Sequence, residues 1–570
     1  MPENGSTLPG NGSILRGNDA GTPANGTTTR PGETVPEEVV APPEEVVVAG
    51  AGPNGLMLAC ELALAGVRPV VLERLTGPTD EQRANGMVGQ VVRMLDRRGL
   101  YERLTGGSEP PRPAPAYMFG ALPLDLSGLD ENPLYLLPVP QRRIEQLLAE
   151  RAVELGVEIR RGHEVTGLDQ TPETVTVAVA GPDGPYRVST RYLVGADGGR
   201  SRVRGLAGIG FPGVTTDRMV SRSAHVSVPP ELIDPATGGL AVPGYGVVPP
   251  FTHHRTERGV IAFAPFPGRP TMVSVIEPRT PADEALDGGE PLTLGELRDS
   301  VRRVLGVDVP LGAPDGPGPH LRRRLTGGNT RLADRFRDGR VLLVGDAAHV
   351  HSALGGPGLN LGLQDVVNLG WKLAAELRGW APPGLLDSYD RERRPVGRRV
   401  TMHTQAQSVL IGPGSDVTAL RELFTELLGD RRNVQRIADL LAGADVRYDL
   451  GQAPGEEPAV TGAWAPDLLL TRGSGGDAAG GPVRLAELTR GARPLLLDLT
   501  PNGGLAVEAA AWRDRVDVVP ARAENSGLTG LLLRPDCYVA WSCAAPRPDD
   551  RQRAALRAAL ARWFGRPATA

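Results

Sequence analysis

The run Gly50-Ala-Gly-Pro-Asn-Gly55 constrains this chain more than any other feature, because of what flanks it. Before it stands Glu45-Val-Val-Val-Ala49, which reads as a short buried strand. After it, residues 56–65 are rich in Ala and Leu and stop at Gly66, the pattern of a helix closed by glycine. Residues 67–72 are again β-branched and end at Glu73. Strand, tight turn, helix and strand with short connections open a parallel sheet. In such a unit the first glycine permits the sharp turn and the second lets backbone approach a pyrophosphate. The third lets helix pack on strand. The helix N-terminus turns free N–H groups and the positive end of its dipole toward that phosphate. Glu73 lies 23 residues beyond Gly50, close to the roughly 20 expected of an acid that binds a ribose hydroxyl. Glycines alone mark only a tight turn. With strand, helix and acid all in place, a dinucleotide site is strongly favoured.

Composition narrows the partners. The 570 residues carry 62 basic and 67 acidic side chains, a net charge of −5 that argues against a nucleic-acid surface. Every basic residue except Lys372 is arginine, a bias that accompanies heavy Ala, Gly and Pro use and implies no function by itself. Three cysteines (Cys60, Cys537, Cys543) are too few for a disulfide framework and suit a reducing cytosol, so a cytoplasmic location is expected. No apolar run approaches the ~18 residues of a membrane span and no signal-peptide pattern opens the chain, so no membrane partner is expected.

Residues 1–43, rich in Gly, Asn, Thr and Pro, read as a disordered tail; turn-rich composition accounts for the sequons at Asn4, Asn11 and Asn25. The first α/β part covers residues 44–211, with a helix over 142–154, a strand over 157–160 and a hairpin joining 174–180 to 186–189. Residues 212–332 switch to short alternating runs between Pro/Gly turns, clearest at 260–263 and 271–276, and predict an inserted antiparallel sheet. The α/β pattern resumes over 333–411. Residues 412–570 read as a smaller third domain with a helix at 419–428, strands at 494–499, 516–519 and 531–534, and a terminal helix at 553–564. The fold class is therefore mixed α/β, a Rossmann-type domain interrupted by an antiparallel sheet and followed by a third domain.

Two later segments bear on which dinucleotide is bound. In one, Tyr192-Leu-Val-Gly-Ala-Asp-Gly198, a strand runs into Asp197-Gly198. In the other, Arg340-Val-Leu-Leu-Val-Gly-Asp346, a strand ends at Gly345-Asp346; Gly355-Gly-Pro-Gly-Leu-Asn360 and a long helix over 361–377 follow. An aspartate at a strand's C-terminal edge can accept hydrogen bonds from a polyol chain. The next helix N-terminus offers N–H groups to a group that becomes negative, as a reduced flavin does around N1 and O2.

In this order the three segments resemble the FAD-dependent aromatic hydroxylases of the para-hydroxybenzoate hydroxylase class. More narrowly, residues 45–567 are similar to the monooxygenases of angucycline- and anthracycline-type aromatic polyketides, with support from Leu72-Glu-Arg-Leu75 and Arg161-Gly-His-Glu-Val165. The resemblance implies bound FAD, NADPH or NADH and O2 as co-substrates, and hydroxylation of a polycyclic aromatic polyketide intermediate through an FAD C4a-hydroperoxide. It implies Gly50, Gly52, Pro53 and Gly55 at the pyrophosphate and Glu73 at the adenosine ribose, with Asn54 and Arg74 as further cofactor-binding positions. Arg83 is implied near the flavin pyrophosphate and ring entrance, Gln141 at the ribityl portion and Val165 at the adenine. Asp346 is implied on the ribityl chain, Gly358, Leu359 and Asn360 facing the isoalloxazine, and Asp197 with Gly198 at cofactor phosphates. No acid or base residue is implied. The third domain resembles the thioredoxin-like appendage of these enzymes without redox cysteines, a structural or oligomerisation element that leaves a homodimer open. Two positions depart from the family pattern: Pro357 stands where Gln is common, and Leu361 where Thr often follows the Asn. Proline lacks both an amide side chain and a backbone donor, which bears on flavin or substrate contacts there.

Other signals carry less. Asp346, His349 and His351 imitate metal-ligand spacing without a further ligand cluster, so no metal is expected. His253-His254-Arg255 fits either contact with a phenolic substrate or a surface loop. Cys537 and Cys543 are too far apart in sequence for a C-x-x-C pair. The alternatives that stay open are Baeyer–Villiger oxygenation of a ketone by the same flavin machinery, a flavin oxidase or reductase, and a non-catalytic FAD-bound accessory protein. A halogenase is disfavoured, since no tryptophan sits in W-x-W-x-I-P.

Overall fold

Val46, Val47 and Val48 have no exposed surface, as the centre of a parallel sheet requires of an uninterrupted apolar run. The structure, a computed structural model, describes residues 43–78, 86–216, 218–281, 283, 291–326, 328–352, 356–450, 460–472, 481–523 and 526–567. The tail expectation for residues 1–43 thus lies almost wholly outside the described residues. The first strand (Glu44–Ala49) pairs in parallel with Pro69–Glu73 on one side and with the end of Gly184–Gly195 on the other. Glu158–Arg161 and Val341–Leu343 extend the sheet in parallel at its two flanks. The expected hairpin is present, but its second strand does not stop at residue 189. It runs on as Gly184–Gly195, pairing first with Val175–Gly181 and then with the central strand. One continuous strand therefore delivers Asp197 to the C-terminal edge of the sheet, where the fingerprint turn and the Gly345-Asp346 turn also emerge.

The inserted sheet has five antiparallel strands in the order His253–Thr256, Gly259–Ala264, Thr271–Pro278, Met219–Val226 and Arg322–Leu325. Strand alternation gives it two different faces. Ile261, Phe263, Val273 and Val275 pack against Leu297, Val301 and Val304 of the Leu294–Leu305 helix. Ala262, Met272 and Ser274 point to the other side, toward a cavity.

The C-terminal sheet joins a parallel pair (Leu495–Asp498 and Asp517–Ala523) to an antiparallel hairpin (Gly530–Leu533 and Val539–Cys543), and the Asp550–Phe564 helix packs against it. The helices Ser415–Leu427 and Arg431–Ala442 pack elsewhere, although they follow residue 412. Phe424, Val434 and Ala438 meet Phe119 and Leu122 of the Ala116–Phe119/Leu122–Asp125 hairpin, because that is where their apolar stripes find an apolar partner. No described helix is long and apolar enough to cross a membrane.

A buried charge cluster docks the C-terminal sheet onto the body. Arg534 donates to both oxygens of Glu392 at 2.8 and 2.7 Å and to Asp536, and Lys372 Nζ donates to Glu392 at 2.7 Å. Two positive and two negative groups thus share one buried site. The Arg534 guanidinium also lies 4.7 Å from the Trp563 ring centroid and 5.2 Å from that of Tyr448. A second anchor reaches the fingerprint helix (Pro53–Leu64): Arg98 donates to both oxygens of its Glu61 at 2.6 and 2.9 Å, and to the Pro535 carbonyl at 2.7 Å. Burial raises the Glu392 pKa, but Arg534 and Lys372 outweigh it and hold the carboxyl well below its usual value of 4.5.

Arg534→Met should therefore cost about 3–5 kcal/mol of stability at neutral pH, since it strands a buried carboxylate. Glu392 titrates lower in the folded than in the unfolded chain, so its stabilisation is complete above pH 4.5 and is lost as pH falls toward the folded value. Denaturant melts from pH 7 to pH 3 should show the gap between the unaltered chain and the variant narrowing below that point.

Candidate functional site

The fingerprint turn is built by close approach. Gly50 has φ +110°, and a Cβ there would lie 2.5 Å from the Ala196 carbonyl oxygen. A Cβ at Gly55 would lie 1.9 Å from the Gly50 carbonyl oxygen, so only glycine lets helix meet strand. At Gly52 a Cβ would meet nothing within 4 Å, which leaves backbone open to a ligand. Glu73 closes the turn: its carboxylate accepts from the Ala51 N–H at 2.8 Å and the Leu75 N–H at 2.9 Å.

Asn54, one residue inside that helix, is wedged between Gly345 and Gly362. A Cβ on either glycine would fall within 2.5 Å of its amide nitrogen. This wedge sets the fingerprint helix against the Gly345-Asp346 turn and the long Pro357–Leu377 helix. Its Oδ1 is buried without a hydrogen-bond partner among the described residues.

Behind the turn, Asp365 is fully buried on the long helix. It accepts from His349 Nε2 at 2.6 Å, from Arg393 Nε at 2.8 Å and from the Gly345 N–H at 3.3 Å. Burial pushes its pKa up, but Arg393 and His349 overcome that and hold it below the ordinary carboxylate value. His349 is thus committed to Asp365 in the core. Among the described residues no group of His, Cys, Asp or Glu could hold a metal. His351, by contrast, reaches the cavity; its Nδ1 lies 2.9 Å from the Ser352 carbonyl, and burial pushes its pKa down to about 4.

One cavity of about 2040 Å³ collects most of the residues singled out from the sequence. Gly50, Gly52, Pro53, Asn54, Glu73, Arg74, Gln141, Val165, Asp197, Asp346, Gly358 and Leu359 all line it. Gly55 does not, because its part is helix–strand contact. Asn360 does not line it either: its amide donates to the Gly356 carbonyl at 2.7 Å and its Oδ1 accepts from the Val88 N–H at 3.1 Å. Asp197 spends its carboxylate on Ser201 and on the backbone N–H groups of Arg202 and Val203, and so fixes the turn it sits in. Pro357 is buried at the first position of its helix, off the cavity lining. Proline is at home there, since the N–H it lacks has no intrahelical acceptor. Arg83 and Gly355 lie outside the described residues.

The cavity is about twice the upper end of an ordinary small-ligand pocket, enough for a dinucleotide and a second ligand together. From the glycine turn it runs past Asp346 and Gly358 to Phe251, His253 and Ser274 of the inserted domain. Of the two open placements for His253, the structure selects the cavity wall. Its neighbour His254 bonds the Tyr245 hydroxyl at 2.7 Å, and Arg255 is tied to the Gly412 and Gly414 carbonyls. The sequence reading misses Asp365 and Arg393. The available signal is an aspartate one helical turn from Leu361 and from Leu369, on a face that apolar residues would otherwise fill.

The chain is similar to known proteins in sequence and in fold. Residues 44–404 match the family model described as FAD binding domain, and residues 458–567 the one described as aromatic-ring hydroxylase, C-terminal. The chain is 44% identical over 531 residues to the 12-dehydrotetracycline 5-monooxygenase/anhydrotetracycline 6-monooxygenase of Streptomyces rimosus, covering 92% of this chain and 99% of that one. It is 37% identical over 527 residues to a dialkyldecalin synthase of Streptomyces rugosporus, covering 91% and 98%. A solved aromatic hydroxylase from angucycline biosynthesis superposes with a TM-score of 0.77 at 35% identity, covering 93% of this chain and 100% of that one.

Two substitutions test the cradle. Gly55→Ala should leave little protein-bound flavin by absorbance ratio, because its methyl group meets backbone at 1.9 Å. Glu73→Ala should weaken FAD binding roughly ten- to a hundredfold in a titration of the apoprotein, the usual worth of a charged hydrogen-bond acceptor.

Proposed function

The chain belongs to the family of FAD-dependent aromatic-ring hydroxylases, and from that membership we propose that it uses NADPH or NADH and O2 to hydroxylate a polycyclic aromatic polyketide intermediate. The observation that carries this reading is the continuity of the cavity: one space joins the dinucleotide turn to an apolar wall large enough for a fused-ring ligand. FAD, when bound, supplies the O2 activation for which side chains have no equivalent. The residues of this chain bind, orient and shield. The turn from Gly50 to Gly55 offers the open backbone of Gly52 to the pyrophosphate, with Glu73 holding the Ala51 N–H beside it. Asp346 stands at the strand edge where a polyol chain would pass. The N–H groups of Gly358 and Leu359, in the first turn of the long helix, are on the cavity lining and would face the negative charge of a reduced flavin held there. Pro357 removes neither of these two.

The relation to the anhydrotetracycline and angucycline enzymes supports a fused polycyclic substrate. The relation to a protein named as a dialkyldecalin synthase favours one competing reading, a chain that holds FAD without oxygenating its ligand. A single assay separates them. Purified FAD-loaded protein should oxidise NADPH faster in the presence of a suitable polycyclic phenol and release a product heavier by one oxygen. Carbon NMR of that product distinguishes ring hydroxylation from Baeyer–Villiger insertion. Stable FAD binding with no ligand-stimulated NADPH oxidation across a panel of aromatic polyketides would overturn the hydroxylase reading.

A further inference from the structure

The inserted sheet ends the cavity in a wall that carries one imidazole and no charged side chain. Strand pairing sets His253 opposite Ala262, and Ala262 opposite Ser274, so the three form one cross-strand row on the cavity face. Ser223 continues the row and is hydrogen-bonded to Ser274 through their hydroxyls. From the facing hairpin, Met118 brings its Sδ to 3.3 Å from His253 Nδ1. A thioether has no hydrogen to give, so this contact is a hydrogen bond only with the proton on Nδ1. Nε2 then keeps its lone pair, and among the described residues nothing else bonds this ring. Burial pushes the imidazole below its ordinary pKa, so the ring is neutral at physiological pH.

Charge is divided unevenly around the same space. Among the described residues, the arginines of the lining, Arg74, Arg142, Arg161, Arg200 and Arg202, all come from the dinucleotide half. Residues 251–274 contribute none, so an anionic group seated against them would lose its hydration without gaining a counter-ion. They do offer flat apolar surface. Phe251 is 52% exposed, with its ring 5.4 Å from that of Phe266. Its φ of +58° is a costly conformation for a bulky residue, held by a 2.8 Å bond from its N–H to the Phe263 carbonyl.

We propose that His253 is the specificity-determining residue of this wall: Nε2 accepts a hydrogen bond from a phenolic O–H of an uncharged fused-ring substrate that lies against Phe251 and Phe266. The proposal rests on the hydroxylase reading and adds to it the charge state of the substrate and the group that orients it. Such a bond selects a hydroxylated ring over its methyl ether, which has no proton to give, and also raises the electron density of the ring.

The test uses the FAD-loaded full chain and three probes: 2-hydroxyanthraquinone, 2-methoxyanthraquinone and anthraquinone-2-carboxylate, with binding read from perturbation of the flavin absorbance. The hydroxy compound should bind about ten-fold tighter than the methyl ether, with the carboxylate weakest. In His253→Leu that preference should fall to within about two-fold while flavin content and methyl ether affinity hold, a pattern that general loosening of the wall does not produce. Should the leucine variant lose flavin, His253→Phe restores the ring volume and is read the same way. Equal binding of hydroxy and methoxy probes by the unaltered chain, or an undiminished preference in the variants, overturns the assignment. Ligand-stimulated NADPH oxidation without probe discrimination removes His253 and leaves the hydroxylase reading standing. Discrimination without NADPH oxidation does the reverse.

Discussion

The Asp365 carboxylate, sealed from solvent, is the point to which the flavin side of the cavity is referenced. It sits on the long helix and takes hydrogen bonds from the strand-end turn at Gly345, from His349 just beyond it, and from Arg393 on the next helix. Arg393 in turn donates to the Tyr448 hydroxyl and the Leu361 carbonyl. A buried ion pair adds little stability when its remaining lone pairs go unsatisfied, but here both oxygens of Asp365 are engaged. The helix, the Asp346 turn and the Ser388–Leu410 helix are thereby held in one geometry. The position of Asp346 and the direction of the N–H groups after Pro357 both follow from it.

The same logic extends to the C-terminal sheet, which contributes nothing to the cavity lining and yet reaches the rear of the fingerprint helix. Glu61 of that helix is clamped by Arg98, and Arg98 also holds the Pro535 carbonyl. Arg534, beside it, closes the cluster with Glu392, Asp536 and Lys372. The element that presents N–H groups to a pyrophosphate is thus braced from behind by a domain more than four hundred residues away in sequence. Cys537 and Cys543 are buried free thiols there: Cys543 packs in the apolar core, and the Cys537 thiol donates to the Pro535 carbonyl.

The cavity itself divides its work by electrostatics. Arginines and glycine backbone gather at the dinucleotide end, where phosphates need charge and N–H groups. The far wall is aromatic and aliphatic, built from one face of an antiparallel sheet whose other face is filled by a helix. That separation lets a polar cofactor and an apolar substrate share a single space without either being forced to shed its solvation against the wrong surface.

The amino-acid sequence alone determined what depends on neighbouring residues. The glycine turn, the helix after it and the acid at the next strand end follow from φ freedom, missing Cβ atoms and apolar periodicity, which are local properties. The alternation in residues 260–276 likewise marks a sheet with two faces. Only the tertiary structure decided what depends on segments that meet from far apart. It assigned His349 to Asp365 in the core and His253 to the cavity, although both are histidines beside short strands, because their partners Asp365 and Met118 are brought in by other elements. It turned the Asn360 side chain to Val88, joined the hairpin to the main sheet as one strand, and sent residues 415–442 to the Ala116–Phe119 hairpin. Periodicity shows that a side chain needs a partner, and long-range packing chooses which partner it has.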